Sequence, residues 1–197
     1  MIFPRTILFL GLLTLARGNP VEGNTAAICE FFHHVQAFQD DQWDESVILM
    51  KRLLGDMIIA LLPYPEYADY KKTMQNYLDS GRTIVKTSPL KDKMDFCQGF
   101  NKAGETPFLR GSPAKKQALT RPLNDYQSNM IFNVFTELHK KIIKAADDME
   151  RLVQFPDNSS RDELFTLLAK YRSAGMGPMT EEITSRILAF KEQYKCV

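Results

Sequence analysis

Glu30-Phe31-Phe32-His33 sets a carboxylate and an imidazole one helical turn apart. Carboxylate-bridged metal bundles are built from that Glu-x-x-His spacing, used twice and joined by two further glutamates. The chain has three histidines. His139 follows Glu137 at the wrong spacing, and His34 lies beside His33 on a different helix face. No metal centre and no other cofactor is therefore expected. Nucleophilic catalysis needs a base beside a serine or cysteine, oriented by a third group. Neither a Gly-x-Ser-x-Gly elbow nor a glycine-rich phosphate loop occurs. Ser112 and Ser173 flank loops with no local partner. The residues describe a protein that is not an enzyme.

A richer supply lies in the aromatic and thioether side chains. Trp43, Met50, Met57, Tyr67, Tyr70, Met74 and Tyr77 crowd the first half of the chain, with Phe31 and Phe32 just before them. Methionines adapt to irregular shapes, and tyrosines offer an apolar ring with a polar tip. Placed between helices, such a set encloses a fatty acid or a similar hydrophobic molecule, and His33 or a tyrosine hydroxyl orients its polar head. The same side chains also suit an ordinary packed core.

Met1–Gly18 (MIFPRTILFLGLLTLARG) carries Arg5, an apolar run from Ile7 to Ala16, and small residues at Ala16 and Gly18. That is the pattern of a cleaved secretory signal. The run is shorter than the roughly 20 residues of a spanning helix. The expected mature chain, Asn19–Val197, is a secreted, extracellular domain. The formal charge of the full sequence, +1, turns slightly acidic once Arg5 and Arg17 leave, which argues against nucleic acid as a partner. The most apolar later stretch, Val47–Leu62, contains Lys51, Arg52 and Asp56, so no membrane-spanning segment is expected. Asn158-Ser159-Ser160 is an N-glycosylation acceptor in an expected surface loop.

Cys29, Cys97 and Cys196 are the three cysteines. An odd number leaves one thiol over, and one internal bridge has three choices. The pairing expected here is Cys29 with Cys97, which brackets the first four helices. Cys196 is then free, or links two chains in a disulfide-bonded homodimer.

Helical periodicity runs nearly throughout. The first helix is expected from Thr25 to Phe38, broken by Asp40–Asp41. The second, Asp44–Leu62, is apolar on most of its sides, as a central helix is, and Pro63 ends it. The third runs from Pro65 to Gly81, and the fourth from Ser88 towards Gly104. Gly104–Pro122 reads as a long loop carrying Arg110, Lys115, Lys116 and Arg121, and as a subdomain boundary. A long helix is expected over Asn124–Phe155. Ser160 and Glu163 form a capping box for the next, which ends near Ala174, and Thr180 caps the last.

The expected fold is all-α, six to seven amphipathic helices around the very apolar second one, in a single domain. The expected function is non-catalytic binding of a hydrophobic small molecule or lipid between helices. The alternative is a secreted signalling or immune-modulating protein that works by protein–protein contact. A third reading is an amphipathic protein that opens onto lipid particles.

Overall fold

The computed structural model describes residues 20–109, 112–153, 163–174 and 178–196. The expected signal segment, Met1–Gly18, and the glycosylation acceptor Asn158 lie outside them. The fold is all-α: α1 (Pro20–Ala60), a 3-10 turn (Pro65–Tyr67), α2 (Ala68–Ser80), α3 (Leu90–Leu109), α4 (Pro113–Asn129), a π-helical segment (Met130–Phe135), α5 (Thr136–Leu152), α6 (Glu163–Ser173) and α7 (Pro178–Gln193). There is no strand among the described residues.

The expected first and second helices are one helix of 41 residues. Asp40 and Asp41 do not break it. Each aspartate costs only a few tenths of a kcal/mol against alanine within a helix, whereas stopping and renucleating the ladder costs more. Ser46 inside it back-bonds to the Gln42 carbonyl at 2.8 Å, which satisfies a buried hydroxyl.

Gly104–Pro122 is likewise not a long loop. α3 continues through Gly104 and Pro107 to Leu109, and α4 opens on Pro113 and carries Pro122 within it. Proline suits a first helical turn. Pro122 in the interior forgoes one backbone hydrogen bond, which the buried Leu119 and the half-buried Leu123 on either side offset. The expected helix over Asn124–Phe155 is divided by the π-helical turn at Met130–Phe135.

The chain forms two compact units. Unit 1 takes the residues up to Gln36 and those from Lys141 onward; unit 2 is Ala37–Lys140. The division therefore falls within α1 and α5, not in the 104–122 segment.

Unit 1 buries Ile28, Phe31, Phe32 and Val35 of α1, Ile142, Ala146 and Met149 of α5, Leu164, Leu168 and Tyr171 of α6, and Ile183, Ile187 and Phe190 of α7. Arg172 of α6 pairs with Asp147 at 2.6 Å and with Glu150 at 2.9 Å, joining α6 to α5. A disulfide joins Cys29 to Cys196, with 5.2 Å between their Cα atoms. This corrects the expected Cys29–Cys97 bridge. Cys196 is neither free nor available for a disulfide-linked homodimer, and Cys97 is the free, buried thiol. Spacing suggested the nearer cysteine, but Cys97 is in the core of the other unit.

Unit 2 centres on Val47, Met50, Leu53, Leu54 and Met57 of α1 and on Leu61 just after it. Met74 of α2, Phe96, Cys97 and Phe100 of α3, and Leu119 of α4 close around them. Gly81 ends α2 with an ordinary right-handed backbone, φ −79°. It is glycine for lack of room: a Cβ there would lie 2.4 Å from the Phe96 ring.

Candidate functional site

The aromatic side chains of unit 2 form a half-buried rim on a methionine-rich core. Met50 and Met57 are each 1 % exposed. Trp43, Tyr64, Tyr67, Tyr70, Tyr77 and Tyr126 pack against that core while keeping part of each ring at the surface. Two helices and a turn hold the tyrosines: Pro65 starts the 3-10 turn that carries Tyr67, and α2 continues directly to Tyr70, Met74 and Tyr77. Met74 falls at i+4 from Tyr70 and i−3 from Tyr77, so the three share one helix face.

Each ring is held by specific contacts. Tyr77 stacks on Phe96 with centroids 5.2 Å apart and planes 13° from parallel, and tilts against Phe100 at 6.3 Å. Its hydroxyl donates to the Phe96 carbonyl. Gly99 leaves room for this, because a Cβ there would sit 2.6 Å from the Tyr77 oxygen. Tyr64 and Tyr67 lie tilted at 6.1 Å, and the Tyr67 hydroxyl shares a hydrogen bond with the Ser112 hydroxyl just before α4.

Burial shapes the acidity of the rim. It raises the Tyr70 and Tyr77 phenols above their ordinary value, Tyr77 with a further push from the nearby Cys97. Tyr126 is pushed up to about 12 by burial and then by Cys97. The Cys97 thiol is itself raised to about 12 by burial. In unit 1 burial raises Tyr171 to about 12, against a hydrogen bond with Thr184 that favours its ionised form. These groups stay neutral at physiological pH, so the rim is apolar in character with hydroxyl tips.

Their linkage to stability has one sign. Each folded-state pKa lies above its unfolded value, near 10 for tyrosine and somewhat lower for cysteine. The stabilisation is therefore fully present below about pH 9 and is lost as pH rises towards about 12. We expect the urea midpoint to fall steeply across that window. Phenolate absorbance should show Tyr126 and Tyr171 ionising last, and Cys97 should ignore thiol reagents until the chain unfolds. A midpoint flat between pH 9 and 12 would contradict this.

The structure gathers Trp43, Met50, Met57, Tyr67, Tyr70, Met74 and Tyr77 in unit 2. It does not place Phe31, Phe32 and His33 with them. Those three belong to unit 1, where Phe31 and Phe32 are buried core and Phe32 packs on Tyr194 at 5.9 Å. His33 is exposed, and Glu30 of the same turn pairs with His34 at 3.7 Å. Among the described residues no three His, Cys, Asp or Glu side chains gather as metal ligands would.

Two features escaped the sequence reading. Tyr126 joins the rim from α4, a helix whose first half read as loop. Lys93 is 4 % exposed, with its ammonium 2.5 Å from Asp44 Oδ1 and donating to the Lys86 carbonyl at 2.7 Å. The signal was present: Lys93 stands on the Leu90–Cys97 face of α3, where the other residues are apolar.

Among the described residues no helix is long and apolar enough to cross a membrane. No family model matches the chain, and no curated protein or solved structure shows significant similarity to it.

Proposed function

We propose that this is an exported, non-enzymatic helical protein that takes up a hydrophobic small molecule or lipid, of the fatty-acid type, among the helices of unit 2. The observation that carries the reading is the half-buried rim of Trp43, Tyr67, Tyr70, Tyr77 and Tyr126 over Met50, Met57 and Met74. Apolar ligand surface withdrawn from water there gains roughly 25 cal/mol per Å². Flexible methionines re-pack around an acyl chain at little cost, where β-branched side chains would resist. The hydrogen-bonded Tyr67 and Ser112 hydroxyls, at the exposed edge of the rim, supply polar contacts for a head group. His33, in unit 1, is not part of this site. Export through Met1–Gly18 and a glycan on Asn158 complete the reading.

Trp43 is the only tryptophan, and it stands on the rim, so its fluorescence reports on unit 2 alone. Titration with a long-chain fatty acid should change it saturably, and Met57→Lys should weaken the response. Native mass spectrometry of protein from secreting cells should show a bound lipid. Absence of both signals in the folded protein refutes the carrier reading.

A further inference from the structure

The C-terminal half of α1 and the turn that follows it, residues 61–63, carry two stripes. One, containing Val47, Met50, Leu54, Met57 and Leu61, faces the core of unit 2. The other lies about 140° round the helix and reads Ile48, Arg52, Gly55, Ile59, Leu62. Its steps alternate between four and three residues, the repeat with which a helix meets a partner helix along a seam. Ile48, Ile59 and Leu62 are 58 %, 63 % and 63 % exposed. A Cβ placed on Gly55 would meet nothing within 4 Å. Arg52, in the seam itself, lies 3.7 Å from Asp56.

We propose that a second copy of this chain docks on the seam, α1 against α1, antiparallel about a two-fold axis passing by Gly55. The spacing is palindromic: Ile48 stands one heptad before Gly55 and Leu62 one heptad after it. A two-fold axis there sets Ile48 of each copy against Leu62 of the other, so one apolar pair is made twice. Gly55 meets its own equivalent at the axis, where a side chain would hold the helices apart.

Charge fits the same arrangement. The two-fold brings Arg52 to within about 3 Å, measured along the helix, of the level of Asp56 in the second copy. Each guanidinium in the seam thus gains a carboxylate from across it, and the exchange is reciprocal. A parallel pairing would set Arg52 against Arg52. The seam is short beside the roughly 800 Å² per partner of a stable complex, so the dimer is weak and forms with rising concentration.

Sedimentation of the full chain over a concentration series should show a monomer–dimer equilibrium. Gly55→Cys should yield a disulfide-linked dimer under mild oxidation; Cys97 is buried and Cys29 is paired with Cys196, so no native thiol competes. Ile48→Cys alone should not cross-link, whereas Ile48→Cys with Leu62→Cys should. Arg52→Asp should weaken association about tenfold or more, and adding Asp56→Arg should restore it. Apart from the half-buried Gly55 these positions are exposed, and circular dichroism checks that each variant folds. A chain that stays monomeric at every concentration overturns the proposal. So does a dimer indifferent to Ile48→Glu and to the charge exchange.

Discussion

Asp44→Ala is expected to destabilise the protein by about 3–5 kcal/mol, the largest effect of any single substitution considered. The Lys93 side chain is 5 % exposed and that of Asp44 16 %. Removing the carboxylate leaves an ammonium buried with one carbonyl, that of Lys86, as its remaining hydrogen-bond acceptor. The opposite deletion, Lys93→Met, leaves a carboxylate nearer to water and replaces a long stem with one of similar volume, so it should cost less. The double variant should be more stable than Asp44→Ala alone, because the uncompensated charge is gone. Urea denaturation of the four proteins forms a double-mutant cycle that reads this directly. A loss below about 1 kcal/mol for Asp44→Ala would mean that water reaches the ammonium.

The same lysine fixes the connection between α2 and α3. Lys93 donates to the Lys86 carbonyl, and Lys51 of α1 donates to the Ile84 carbonyl at 2.7 Å. Lys86 in turn pairs with Asp41 at 3.8 Å. A loop with no regular structure is thereby pinned along α1 by charge-assisted hydrogen bonds, stronger than neutral ones. Asp44→Ala should loosen that loop as well, seen as faster amide exchange at Ile84–Ser88.

The second large effect concerns the disulfide. Cys29 and Cys196 are 167 residues apart, and closing so long a loop removes up to about 5 kcal/mol of unfolded-state entropy in the chain model. Cys29→Ser with Cys196→Ser should lower the denaturation midpoint accordingly. The loss should fall on unit 1, where Tyr171 would then ionise close to the ordinary phenol value. Reductant should do the same to the native chain and nothing to the double variant. A midpoint unchanged by reductant would refute the pairing.

Periodicity made the helices legible. Ile28, Phe31, Phe32 and Val35 recur at helical spacing, as do Ile142, Ala146 and Met149, and each set is the buried face of its element. Punctuation was less reliable. Asp40–Asp41, Gly104, Pro107 and Pro122 are residues that stop a helix when nothing else acts on it, and here each lies inside one. Propensity is worth a few tenths to about 3 kcal/mol per residue, and beside Pro122 the burial of Leu119 and Leu123 offsets it. Gly81 does end α2, and it is glycine for want of space beside Phe96 rather than for a left-handed backbone.

The candidate site was legible in part. Tyr67, Tyr70, Met74 and Tyr77 share one short helical stretch, and Trp43, Met50 and Met57 share the helix they pack on. Phe31 and Phe32 looked like neighbours of that set because they are close in sequence. No local pattern marks the point within a continuous helix where burial passes from one unit to the other. The disulfide was illegible for a related reason: pairing depends on which thiols are withdrawn into a core, and spacing is silent on that.

The withdrawal of Cys97 has a consequence for the order in which the protein is made. On the ribosome Cys29 emerges first and Cys97 second, so the wrong partner is the first one available. Unit 2 is a continuous stretch ending at Lys140, so all of it is synthesised before Cys196, and it should close first. Once it does, Cys97 is 8 % exposed and burial keeps its thiol protonated, so no thiolate is there to attack. Cys29 must then wait for the late cysteine. The closed methionine and tyrosine core should then keep Cys97 from Cys29, and slowing its closure should trap chains with the Cys29–Cys97 bridge.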